Sequence, residues 1–371
     1  MSAETGAKRG WRRVRRALGW VAVVAVALLV VSILAFREVR FVLRAAYEEA
    51  RILLAREPIE RLLEDPAVPS AERDRFRLVI EARDFGRDSL GLDAGDTYTT
   101  YADVGRDTLL LVLTAAPRDA LEPYTWWYPI VGTVPYKGFF DFADGRAAAQ
   151  RLAEDGYDVY LRPSAAFSTL GWFNDPLLST ALERSPELLV ELVLHEIAHN
   201  TLYVASATPF NESFALFVGY RGAAAFFESR GDSVAARRIG AIWRDQQRLS
   251  AFYSALYDEL REVYATDVPD DSLMAWREQV FANARARLRS GLDGRLEVYD
   301  GERLAARQLN NASLLASRIY LTDVDQFDRV LDAFGGDLRA TVAAIARAVD
   351  ARGERSPFDV LDELAAPARQ G

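Results

Sequence analysis

The sequence predicts a mostly helical α+β domain carried behind one N-terminal transmembrane helix, and three observations carry that expectation. Six basic residues (Lys8, Arg9, Arg12, Arg13, Arg15, Arg16) stand directly before residues 17–36, which hold no charge and are rich in Val, Ala and Leu. Short apolar or β-branched runs bounded by Gly, Pro and Asp occupy the middle of the chain up to about residue 161. From residue 185 onward, apolar positions recur at helical spacing almost to the end.

Residues 17–36 at about 1.5 Å rise per residue span about 30 Å, the thickness of a bilayer core. The arginines stay cytoplasmic, so everything after Phe36 lies on the far side, with the lipid bilayer as a partner through residues 17–36. The exit Ser32-Ile33-Leu34-Ala35-Phe36-Arg37 has no small-x-small cleavage site, which favours a retained anchor over a cleaved signal. Next, apolar positions at Val42, Ala45, Ala46, Leu53, Leu54 and Leu62 read as a helix over 38–64, ended by Pro66 and Pro69. Runs at 108–114, 128–134 and 158–161 read as strands of a small sheet, with a helix at 144–155 between two of them. Helices follow at 185–203, at 209–230, as a long pair around the break Val268-Pro269-Asp270-Asp271, and at 325–351. The expected organisation is a basic tail (1–16), an anchor (17–36), a helical linker (37–70), a core (71–232), a helical subdomain completing the site (233–364) and a loose tail (365–371).

Composition narrows the chemistry. At 371 residues, half of them hydrophobic, the chain can bury a large core. The absence of cysteine excludes disulfides, thiolate metal ligands, a cysteine nucleophile and a lipidated N-terminal cysteine. A net charge of −9 disfavours a surface that tracks phosphates, so nucleic acid is not an expected partner. Imidazole chemistry must come from His195 and His199, the two histidines of the chain.

Both fall in Leu194-His195-Glu196-Ile197-Ala198-His199, on a helix that Ser185 can cap and Pro186 can start. Histidines at i and i+4 share a helical face, so both rings can bind one zinc ion, while Glu196 is rotated off that face and can serve as general base toward the attacking water. The flanking residues are apolar almost all round. The helix is therefore buried, where a histidine pair beside a carboxylate would be costly without a ligand. A third ligand is expected at Glu212, in the first turn of the next helix and 13 residues after His199. Glu228 is a weaker candidate, in an exposed helix end. Glu191, one turn before His195, reads equally well as a partner of that histidine or as a solvated glutamate.

The segment His195 to Tyr203 and the run Phe210-Asn211-Glu212-Ser213-Phe214-Ala215 resemble the bacterial family of predicted aminopeptidases, zinc metallopeptidases of the glutamate-liganded zincin type. The blocks Tyr98-Thr99-Thr100-Tyr101-Ala102-Asp103, residues 128–141, residues 167–176 and Leu309-Asn310-Asn311-Ala312 are similar too, so the likeness runs from about Tyr47 to about Arg347. It implies a zincin-like catalytic domain with a small sheet, the metal helix and a C-terminal helical bundle, located on the periplasmic side of the bacterial inner membrane, with peptides or proteins as substrates. Family members often carry cysteines in the 128–136 block and a lipoprotein-type N-terminus. This chain has neither, which leaves anchoring to the apolar helix.

Other residues suit a peptide groove. Residues 165–170, with Ala166, Phe167 and Ser168 at their centre, read either as an edge strand that pairs with an extended substrate or as a loop on the core. Trp126, Trp127, Tyr128, Trp172 and Phe173 could line side-chain pockets or belong to the core. Tyr320 is the first candidate to stabilise the oxyanion, and Asn310 and Asn311 are candidate substrate contacts; structural hydrogen bonding explains these three equally well. Two functions follow: a membrane-anchored zinc peptidase with Glu196 as base, or a non-catalytic helical scaffold with a structural zinc.

Overall fold

The computed structural model describes residues 18, 20, 21, 24, 37–128, 132–164 and 176–366. Its chain divides into two compact units, Met1–Leu54 and Ala55–Gly371. In the first, helix α1 (Arg37–Leu54) carries Glu48 clasped by Arg44 and Arg51 at 3.1 and 3.0 Å. The expected transmembrane segment, apart from the four positions named, lies outside the described residues, and among the described residues no helix is long and apolar enough to cross a membrane. The helix expected over 38–64 is interrupted. It stops at Leu54; Glu57–Pro58 is extended, as a proline without a donor and with a fixed φ favours, and a short helix Ile59–Glu64 follows.

The second unit is mostly helical with small sheets, the α+β character expected. Strand β1 (Glu57–Pro58) pairs antiparallel with β2 (Thr100–Ala102), which pairs in parallel with β8 (Leu177–Leu178). Strand β3 (Leu110–Ala116) lies between β6 (Lys137–Phe139) and β7 (Asp158–Ser164), both antiparallel to it, in a register that sets Val112 opposite Arg162. Strands β4 (Trp126–Tyr128) and β5 (Gly132–Val134) form a separate hairpin, so the single sheet read from the sequence is three small ones.

Ten helices of nine residues or more are described in this unit: α2 (Ser70–Asp88), α3 (Phe142–Glu154), α4 (Pro186–Thr201), α5 (Thr208–Ser229), α6 (Ser233–Tyr264), α7 (Asp270–Arg289), α8 (Asn311–Tyr320), α9 (Val324–Ala333), α10 (Leu338–Asp350) and α11 (Pro357–Ala365). Helix α2 was hidden in the sequence by its many charges, yet Phe76, Val79, Ala82 and Gly86 give it a buried face at helical spacing. The helix expected at 325–351 is two. Gly335 and Gly336 adopt left-handed φ of 65° and 83°, and Asp337 then caps the second helix by accepting from the Ala340 N–H at 2.9 Å.

Helix α4 runs through the centre of the core, with α2 on one side and α5 on the other. A polar pin joins the sheet to the bundle. Asp158, at the start of β7, accepts from the Arg277 guanidinium of α7 and from the Asn311 N–H of α8, the latter at 2.9 Å. The Asn311 side chain is fully buried; it donates to the carbonyls of Pro117, Arg118 and Ala120 and accepts from the Tyr264 hydroxyl at 2.9 Å. Asn310 caps α8 in a reciprocal pair with Ser313 and donates to the Val159 carbonyl at 3.0 Å. Of the two readings the sequence left open for this pair, these bonds are the structural one, and no part of the Asn311 side chain is left to face a substrate.

Candidate metal centre

Helix α4 starts where the sequence places it. The Ser185 hydroxyl accepts from the Leu188 N–H, Pro186 occupies the first turn, and Glu187 adds a favourable negative charge there. Its far end is braced by the loop before β2. Asn200 donates to the Thr97 hydroxyl at 2.8 Å, the Thr201 hydroxyl accepts from the Asp93 N–H at 2.9 Å, and Arg83 holds the loop through the carbonyls of Thr97 and Gly95.

Helix α5 is drawn unusually close to α4. A Cβ at Gly219 would stand 2.9 Å from the Glu191 carbonyl oxygen and 3.3 Å from the His195 Cβ, so only glycine allows this approach. On the opposite flank, a Cβ at Gly86 of α2 would meet Leu194 at 2.9 Å. The first turn of α5 is then aimed by its own residues. Asn211 accepts from the Val204 N–H at 2.9 Å and donates to the Val204 carbonyl at 2.8 Å, which folds the connecting loop back. Ser213 donates to the Tyr320 carbonyl and accepts from the Thr322 N–H, each at 3.3 Å, which ties the end of α8 beside Glu212.

These constraints bring His195, His199 and Glu212 together, a group that could hold a metal ion. The two Nε2 atoms are 3.3 Å apart, and Glu212 oxygens lie 3.5 Å from His195 Nε2 and 3.8 Å from His199 Nε2. Donors bound at about 2.0–2.2 Å to one tetrahedral ion stand about 3.3–3.6 Å from one another; one donor atom from each residue lies within 4.8 Å of the others, so modest side-chain adjustment would bring them to a single cation. The other nitrogen of His199, Nδ1, is buried with no hydrogen-bond partner among the described residues, so the fold itself gives this polar ring no other employment.

The electrostatics also ask for positive charge. Burial works against a charged His195, but its hydrogen bond to Glu212 and the charges of Glu196, Glu191 and Glu212 outweigh it and raise its pKa to about 9. Burial and the neighbouring His195 charge, against Glu212, push His199 down to about 4. Burial would raise the Glu212 carboxyl, yet hydrogen bonding to His195 and the charges of His195, His199 and Arg162 hold it below the usual range. Glu191 is buried, which excludes the solvated reading. Burial raises its pKa against His195 and Arg184, and its Oε1 stands 4.0 Å from His195 Nδ1, beyond direct hydrogen-bonding reach. Glu228 is exposed at the end of α5 and is not part of the cluster. Glu196 is half-buried on α4, beside the ligands in sequence and close enough in space to act on His195 by its charge.

Tyr320, at the end of α8, is in the site. Burial first, then the Glu212 charge, push its phenol up to about 12 against the pull of Arg162, whose guanidinium lies over the Tyr320 ring at 5.7 Å. Two neighbours, Tyr136 and Arg162, were not named as site residues from the sequence. Tyr136 is raised by burial and then by the charges of Glu212 and Tyr203, opposed by Arg162. Arg162 itself comes from β7, in a seven-residue strand with no motif. The candidates Ala166, Phe167 and Ser168, like Trp172 and Phe173, lie outside the described residues. Trp127 is exposed on the β4–β5 hairpin.

A family profile described as "Putative aminopeptidase" matches residues 40–356, most of the chain and all of the centre described above. No curated protein and no solved structure matches it.

Proposed function

The chain belongs to the family described as putative aminopeptidases, and from that premise we propose that it is a zinc-dependent peptidase of the glutamate-liganded zincin type. The observation that carries the proposal is the triangle of His195, His199 and Glu212, with Glu196 beside it on the same helix. The three protein donors found among the described residues suit a catalytic ion better than a structural one, which is usually closed by four. That favours the enzyme over a scaffold.

Zinc held by these residues would act as a Lewis acid on the scissile carbonyl and make a water acidic enough to attack near neutral pH. Glu196 would take a proton from the attacking water and pass it to the leaving amine, the double duty of a general base and acid on one carboxylate. Tyr320, with its pKa held near 12, keeps its proton at neutral pH and donates a hydrogen bond to the oxyanion as it forms. Tyr136, raised by burial and by the same carboxylate, is a second candidate donor near Glu212. Glu191, buried and biased toward its neutral form, lies 4.0 Å from His195 Nδ1 and would restrain the His195 ring only after a small approach.

The word aminopeptidase carries its own test. Peptides with a free α-amino group should be trimmed from that end, and acetylation of the amine should abolish cleavage. Cleavage of doubly blocked peptides at internal bonds would keep the metallopeptidase and remove the exopeptidase. The anchor is proposed from residues 17–36 and the basic block before them. A reporter fused after Gly371 should be active only outside the cytoplasm, and the full chain should stay with membranes through a high-salt wash. A soluble, N-terminally shortened product would make the segment a cleaved signal instead.

A further inference from the structure

Beside the metal centre, the second unit holds a cavity of about 370 Å³, large enough for a residue or two of a ligand. Arg162 and Tyr320 belong to its wall and also to the surroundings of Glu212, and Leu216, one turn after Glu212, lines it as well. The cavity therefore opens next to the site rather than elsewhere on the molecule. Its polar wall is unusual. Two guanidinium groups, Arg162 and Arg307, face it together with the phenols of Tyr253, Tyr299 and Tyr320 and the amide of Gln246, and no carboxylate is among the described residues that line it.

Half-buried Arg162, which also acts on Glu212, and exposed Arg307 give this wall positive charge with no carboxylate among its described lining residues, so an anionic ligand would complement it. A guanidinium offers paired N–H donors that match a carboxylate in shape. The Gln246 amide donates to the hydroxyls of Tyr220 and Tyr299 at 3.2 and 2.9 Å and so fixes the Tyr299 phenol in the wall, and Arg307 is near enough to act on Tyr253 and Tyr299 by its charge. Arg244, by contrast, is neutralised by Glu297 and so is Arg221 by Asp328, which shows what this fold does with arginines that only support structure.

We infer that this cavity is a specificity subsite for a carboxylate carried by the substrate close to its scissile bond. The inference rests on the peptidase reading and deepens it from peptides in general to peptides bearing a carboxylate at that position. Two sources share this chemistry: an Asp or Glu side chain, and the free C-terminus of a short peptide.

The test is isothermal titration of the full chain carrying Glu196→Gln with four matched tetrapeptides. These carry Glu or Gln at the second position and end in a free carboxylate or an amide. Binding about tenfold or more tighter for Glu than for Gln, whatever the C-terminus, assigns the subsite to an acidic side chain. The same gain for the free C-terminus, whatever the second residue, assigns it to a terminal carboxylate. Either preference should shrink toward unity in Arg307→Met and in Arg162→Met, and Arg307→Lys should keep part of it. Equal binding of all four peptides, or a preference that survives both methionine variants, would overturn the inference. Parallel cleavage assays on the parent chain keep the two claims apart. Discrimination in binding without any cleavage would sink the peptidase and leave the subsite, and cleavage without discrimination would do the reverse.

Discussion

Glu196→Gln is expected to leave a folded protein with its full metal content and to lower peptide cleavage by about 10²- to 10⁴-fold, the usual contribution of a positioned general base. Glutamine keeps the size of the side chain and its place on α4 but can no longer accept a proton. The proposed ligands are His195, His199 and Glu212, so the exchange should not disturb a cation held there. Loss of the Glu196 charge does remove one of the groups that favour positive charge at His195, yet the hydrogen bond that His195 donates to Glu212, and the Glu212 charge, remain. Cleavage at the parent rate by this variant would remove Glu196 from the mechanism. Loss of metal together with activity would instead make Glu196 part of the binding site.

The second large effect is on stability, at the pin between sheet and bundle. Arg277 is buried against Asp158, and the same carboxylate receives the Asn311 N–H. Arg277→Met leaves a nearly buried carboxylate with one backbone donor and the distant Arg118, 3.8 Å away and half-exposed. Breaking a buried pair from one side costs about 3–5 kcal/mol, and the remaining partners argue for the lower end. The urea midpoint should fall accordingly, and the double variant Arg277→Met/Asp158→Asn should lose clearly less than the two single losses summed. Additive losses would mean that the two side chains do not act as a pair. Because Asp158 begins the strand that carries Arg162, and Asn311 begins the helix that ends at Tyr320, the single variant should also blunt activity at temperatures where it is still folded.

The metal centre was readable in the sequence because its parts are local. A capped helix start, two histidines one turn apart and a carboxylate in the next helix's first turn all lie within 30 residues, so helical geometry alone nearly brings them together. Much of what surrounds the centre was not readable. Tyr320 was named as a candidate, but Arg162 and Tyr136 arrive from a strand and a loop, and only tertiary packing brings them near Glu212. Gly219 and Gly86 carry no mark in the sequence, yet the close approach of three helices depends on them. Asn310 and Asn311 drew attention as a polar pair in an apolar stretch, which was sound; the burial they signalled serves the joint between β7 and α8. The charges along α2 masked a helix whose buried face is only a few residues wide. Glu191 could not be assigned from spacing because burial, not sequence position, separates a partner of His195 from a solvated glutamate.

Metal analysis of the purified full chain and of three single variants, His195→Ala, His199→Ala and Glu212→Ala, reaches the central claim with the least inference between observation and conclusion. The parent should carry about one zinc per chain, and each variant should lose most of it while keeping its helical content, because each removes one of the donors within 4.8 Å of one another. A parent that binds no zinc when it is supplied, or a Glu212→Ala variant that retains a full equivalent, would contradict the account.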